Sequence, residues 1–125
     1  MSKIIFNADD LGWSRGVNQG ILKAYRYGVV NSSSWIVTTP YFDETIELIQ
    51  VNQLANIGIH INLTEGKPLL KNHTTIVDEK GFFIRNLHTL EHIDMKEVHD
   101  EIEAQIEKAL ATGVSINHMD THHHI

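Results

Sequence analysis

Three groups of residues with metal-ligand chemistry stand out along this chain of 125 residues. They are the adjacent carboxylates Asp9-Asp10, His60 with Asn62 two residues on, and the run Asp120-Thr121-His122-His123-His124. One carboxylate and two imidazoles suit zinc or another divalent first-row ion. A set of that size leaves positions open for water and substrate, as catalytic rather than structural sites do. The Asp9-Asp10 pair fits a division of labour. Neighbouring side chains of an extended chain point to opposite sides, so one carboxylate can hold an ion while the other takes a proton from water. Each group also has a plainer reading. Asp-Asp is a common turn and helix-cap sequence, a lone strand histidine is commonly structural, and a terminal histidine run can be a tag remnant. The run here follows an apolar segment and Asp120 instead of a linker, and all three groups fall at equivalent places, which favours a shared metal site.

Those places are the carboxyl ends of expected strands. Lys3 to Ala8 reads as a short apolar strand ending in the polar turn Asp9 to Gly12. Ser14 is placed to cap a helix from Arg15 to Tyr27, with Gly28 at its left-handed end. A second strand is expected over Val29–Thr38, a second helix over Asp43–Gln53 and a third strand over Asn56–Leu63. In that strand Ile57, Ile59, Ile61 and Leu63 alternate with Gly58, His60 and Asn62, which sets His60 and Asn62 on one face. The stretch from Thr64 to Asp94 has no sustained period and is expected to form a long binding loop with a small hairpin. Met95 to Thr112 is the clearest helix, with Val98, Ile102, Ile106 and Ala109-Leu110 as its apolar stripe. Val114 to Met119 is expected as the fourth strand. Alternating strands and helices point to an α/β fold with parallel strands. Four such strands amount to half of a larger barrel.

Composition narrows the function. The formal net charge is −6 with no basic stripe, which argues against nucleic acid as a partner. No cysteine is present, so thiolate metal sites and disulfides are excluded. No apolar run is long enough to span a membrane, and a cytoplasmic location is the simplest expectation.

Five segments taken in order resemble the YdjC-like family of carbohydrate deacetylases. They are Asn7-Ala8-Asp9-Asp10-Leu11-Gly12, Gly28 to Ser33, Gly58-Ile59-His60-Ile61-Asn62-Leu63-Thr64, Gly66-Lys67-Pro68-Leu69, and His118-Met119-Asp120-Thr121-His122-His123-His124. The resemblance implies a distorted (β/α) barrel of the polysaccharide-deacetylase type and a divalent metal, magnesium or zinc. It implies Asp10, His60 and His122 as the metal ligands and Asp9 as the catalytic base. The expected reaction is hydrolysis of the acetamide on a small N-acetylated oligosaccharide such as a chitooligosaccharide. Asn62, Lys67 and Trp13 are candidate sugar contacts, with Trp35 a further aromatic to weigh against a core role. Family members run to about twice this length, so the sequence is expected to correspond to the N-terminal half. The general acid would then lie beyond Ile125, with His124 as a substitute, and association between copies is expected. Two rival readings remain at this stage. A non-catalytic metal- or sugar-binding fragment would show affinity without turnover, and a phosphate-binding regulator would leave the histidines unexplained.

Overall fold

The computed structural model describes residues 3–125. Four strands, β1 (Asn7–Leu11), β2 (Ser32–Trp35), β3 (Ile57–Ile61) and β4 (Ile116–Thr121), alternate with helices α1 (Arg15–Arg26), α2 (Phe42–Val51) and α3 (Met95–Leu110). The strands form one open sheet in the order β1-β2-β3-β4, every pair parallel. Sequential parallel strands with helical crossovers are the architecture of half of a (β/α) barrel. No helix among the described residues is long and apolar enough to cross a membrane.

The aliphatic half of β3 supplies the centre of the core. Ile57, Ile59 and Ile61 are buried with Leu11, Trp35, Val37, Leu48, Ile49 and Ala109. Trp35 is fully buried and stacks on Phe42, with ring centroids 5.1 Å apart. It is therefore a core residue and not a sugar platform. The other side of the sheet is polar. The His118 ring lies over Gly58, in the space a Cβ there would need. Asn7, Asp9, Ser32, Asn117, His118 and Asp120 line an open cavity of about 900 Å³.

Local signals set the helix ends well. Ser14 caps α1 by accepting from the Val17 amide at 3.2 Å, and Gly28 follows at φ +72°. Strand bounds moved more. β1 begins at Asn7, later than expected, and runs through Asp9-Asp10 to Leu11. A register shift between Ala8 and Leu11, with Asp10 at φ +67°, makes this a β-bulge, so the polar pair sits within the strand and not in a turn after it. β4 likewise extends past Met119 to Thr121.

The stretch from Thr64 to Asp94 contains the expected small hairpin, an antiparallel bridge Val77↔Phe83 around the turn at Asp78–Gly81, and a short 3-10 turn at Leu87–Thr89. It is ordered by α3, and here the sequence reading is corrected. Of the aliphatic stripe of α3, Val98, Ile102 and Ile106 are half-buried against the core, Ala109 is buried and Leu110 is exposed, whereas the polar Glu101 and Gln105 are fully buried. Glu97, Glu101 and Gln105 follow one another at intervals of four and make a polar row. Glu97 accepts from the amides and hydroxyls of Thr74 and Thr75, all at 2.8 Å. Glu101 accepts from the Leu69 and Leu70 amides, the His73 ring and the Gln105 amide. Gln105 in turn holds the backbone of Asn62 on both sides. Buried donors and acceptors are thus paired along the whole row, as burial requires.

Candidate metal centre

Asp10 owes its direction to the bulge. Its left-handed backbone turns the side chain toward β3, and the next turn is held by buried Asn18, which accepts from the Gly12 amide at 2.7 Å. Gly12 is required at this point. Its φ is +91°, and a Cβ would come within 2.7 Å of the Ile36 carbonyl oxygen and against the Trp35 ring. His60 is delivered by β3, and His122 by the 3-10 turn directly after β4.

One oxygen gathers the two rings. Asp10 Oδ1 lies 3.4 Å from His60 Nε2 and 3.0 Å from His122 Nδ1. It is buried, and neither contact has hydrogen-bond geometry, so the oxygen has no hydrogen-bond partner. Ligand atoms of Asp10, His60 and His122 all lie within 4.8 Å of one another. A buried carboxylate oxygen without a donor is costly unless a cation occupies the space it faces. Burial also pushes the His122 pKa below its ordinary value, only partly offset by the Asp10 charge. A neutral imidazole keeps a lone pair free, as metal ligation requires. The donor set of one carboxylate and two imidazoles fits zinc or another divalent ion.

Asp9 diverges from Asp10. It is exposed and accepts from Asn7 Nδ2 at 2.8 Å, on the other side of His60. A ligand atom of Asp9 still lies within 4.8 Å of His60 and Asp120. The Trp13 ring stands 5.4 Å from the His122 ring, half-buried at the rim. Lys67 is elsewhere. Its ammonium sits 4.9 Å over the Phe82 ring, beside a separate cavity of about 230 Å³ shared with Lys71, His73 and Lys80. Asn62 is buried with its amide committed internally. It donates to Thr38 Oγ1 and the Glu65 carbonyl and accepts from the Thr64 and Glu65 amides. These bonds commit the Asn62 amide to the turn after β3 and use its donors and acceptors internally.

Sequence reasoning placed Asp120 in a ligand-type run but did not join it to His60, and it gave Ser34 and the Asn7 side chain no role. Asp120 Oδ1 lies 2.7 Å from His60 Nδ1, Ser34 Oγ donates to Asp120 Oδ2 at 2.5 Å, and Asn7 Nδ2 donates to Ser34 Oγ at 2.7 Å. The pairing of His60 with Asp120 comes from the β3–β4 register. Nothing in a single strand's alternation announces it. A second cluster, Glu65 with His122 and His123, adjoins the first, and Thr64 Oγ1 contacts His123 Nδ1 at 2.9 Å.

A parallel α/β sheet with ionisable groups gathered at the carboxyl edge of its strands belongs to the broad class that binds ligands and reacts there. Within that class the chain belongs to the YdjC-like family, whose model matches residues 3–125. It is 47% identical to a Listeria innocua protein named carbohydrate deacetylase 1, over 98% of this chain and 52% of that protein. A carbohydrate deacetylase from Thermoanaerobacter pseudethanolicus is 42% identical over 99% of this chain and 51% of its own length. The chain therefore spans about half the length of the curated relatives it matches. A crystal structure from Enterococcus faecalis, provisionally described as a cellobiose-phosphate cleavage protein, superposes with a TM-score of 0.86 at 36% identity. That match covers 97% of this chain and 48% of the other.

Proposed function

We propose that this chain carries the metal site and general base of a deacetylase acting on small N-acetylated sugars of the chitooligosaccharide type. The observation that carries the reading is the unpaired, buried Asp10 Oδ1 facing two imidazole nitrogens. Relatives of matching sequence named carbohydrate deacetylase support the reaction class. Asp10, His60 and His122 would hold magnesium or zinc. Such an ion, when bound, supplies the positive charge that polarises an acetyl carbonyl.

The chain's own residues supply the base side of the reaction, and the amine that leaves as the C–N bond breaks takes its proton from a separate general acid. Asp9 is exposed and stands outside the Asp10, His60 and His122 group, and in this reading it takes the proton from the attacking water as it adds to the acetyl carbon. Asn7 holds that carboxylate by its amide N–H, so the base is oriented before substrate arrives. Trp13, beside His122 at the rim, offers a flat apolar face to a sugar ring.

The test separates ligand from base. Asp10→Ala, His60→Ala and His122→Ala are each expected to remove most of the bound metal, measured by elemental analysis of the purified protein. A single variant that kept stoichiometric metal at unchanged affinity would remove that residue from the ligand set. In the full-length protein, metal-dependent release of acetate from diacetylchitobiose, absent after chelation and restored by zinc or magnesium, is the expected activity. Binding of the sugar without acetate release would replace the enzyme reading with that of a binding protein.

A further inference from the structure

We infer that Asn7, Ser34 and Asp120 form a directional hydrogen-bond relay that fixes which nitrogen of His60 carries its proton, and so turns the Nε2 lone pair toward the space that Asp10 Oδ1 faces. This deepens the metal-site reading and rests on it for its consequence, though not for its geometry.

The direction follows from donor and acceptor chemistry taken one link at a time. Asp9, when ionised, can only accept, and Asn7 contacts it at 2.8 Å, so the Asn7 group there is the NH₂ and not the carbonyl. That same NH₂ also reaches Ser34 Oγ at 2.7 Å. Ser34 therefore accepts from Asn7, and its single hydroxyl proton must go elsewhere. Asp120 Oδ2, at 2.5 Å, is the acceptor. The His118 ring, 3.4 Å from Ser34 Oγ, is a longer and weaker contact. With one oxygen of Asp120 taking the serine proton, the carboxylate remains an acceptor at Oδ1. His60 Nδ1, 2.7 Å away, must then be the donor. With its one proton on Nδ1, the neutral tautomer leaves Nε2 bare, and that nitrogen lies 3.4 Å from Asp10 Oδ1.

The relay is built of rigid parts. Ser34 is fully buried in β2, His60 is buried in the centre of β3, and Asp120 is register-paired with His60 on β4. Three neighbouring strands thus each supply one member. Asn7 on β1 joins the relay to Asp9, so one amide orients both the proposed base and the far side of a proposed ligand. Carboxylate partners of this kind fix the tautomer and ring plane of metal-binding histidines, and their loss weakens metal affinity by about 10–100-fold. Asp120, Ser34 and Asn7 are positioning residues, since none of them belongs to the Asp10, His60 and His122 group.

The experiment reads the tautomer directly and without metal. In metal-free protein labelled with ¹⁵N-histidine, long-range ¹H–¹⁵N correlation at neutral pH should show His60 protonated at Nδ1, with the signal assigned by its absence in His60→Gln. Asp120→Asn, nearly isosteric, should shift His60 toward Nε2–H or a mixture. Chelator competition should show zinc affinity falling about 10–100-fold in Asp120→Asn and in Ser34→Ala. Unchanged thermal midpoints of the metal-free variants would separate positioning from folding. Retention of the Nδ1–H tautomer in Asp120→Asn, or wild-type zinc affinity in either variant, overturns the relay. If wild-type protein shows the Nδ1–H form but binds no zinc, the relay stands and the metal-site reading falls.

Discussion

At the scale of single residues, the chemistry was written in residue types and the geometry was not. The grouping of Asp10, His60 and His122 was legible because ligand-type residues recur at the ends of three strands, and their ligand atoms lie within 4.8 Å of one another. The separation of Asp9 and Asp10 into two directions was legible too, although it arises from a left-handed bulge at Asp10 and not from strand alternation alone. The pairings of Asp120 with His60 and with Ser34 were hidden because the partners lie 60 and 86 positions apart, brought together only by register. The internal bonds of Asn62 were hidden for a related reason, since a polar residue two places from His60 looks like a site residue until the turn it organises is seen. Two outcomes belong at this scale. In the full-length protein, Asp9→Asn is expected to keep bound metal and to lower acetate release by about 10²–10⁴-fold, the usual worth of a positioned base. Metal lost in step with activity would make Asp9 a ligand and end the division of roles. Gly12→Ala should destabilise by about 1–3 kcal/mol or more in a denaturant titration, because the strain of a left-handed alanine adds to a clash with the Ile36 carbonyl.

At the scale of elements, helix ends were set by local rules, whereas strand lengths and the buried side of α3 were set by the tertiary fold. An aliphatic period of three to four identified α3 as a helix, but apolar spacing does not reveal that Glu101 and Gln105 face the loop packed against it. Two glutamates and a glutamine look like a solvated face when no acceptor count is available. The row carries a pH prediction. Burial alone would raise the Glu97 pKa, yet the hydrogen bonds from Thr74 and Thr75 outweigh it and hold the carboxyl at about 2. The folded value lies below the ordinary value of about 4.3. This contribution is therefore complete above about pH 5 and is lost as the pH falls toward 2. Glu97→Gln should cost about 1–2 kcal/mol at neutral pH, with the deficit shrinking on acidification in urea titrations across that window. A deficit that stayed constant from pH 7 to pH 3 would mean the charge of Glu97 does not matter. Glu101→Ala should cost more, about 3–5 kcal/mol, because it strands several buried donors.

At the scale of the whole molecule, the α/β alternation gave the parallel sheet correctly, and the long loop was recognised as a loop, but not that it is anchored. The outer strands β1 and β4 each pair on one side only among the described residues, and Ile4, Ile5, Phe6 and Met119 are exposed near them. Unpaired edges beside apolar surface invite further pairing. The 125-residue chain on its own is expected to associate, seen in light scattering as a mass above that of one chain. A monodisperse monomer at high concentration would show that the edges are adequately protected by the bulge in β1 and the polar residues along β4. The α3 row has its own consequence for how the protein opens. Leu69, Leu70, Thr74 and Thr75 have no strand or helix of their own, yet their amides end on side chains of α3. They can exchange with solvent deuterium only when those carboxylates let go. In native-state hydrogen exchange they should therefore share the protection of α3 and rise and fall with it under denaturant. The loop beside the metal centre and the helix behind it would then unfold as one cooperative unit.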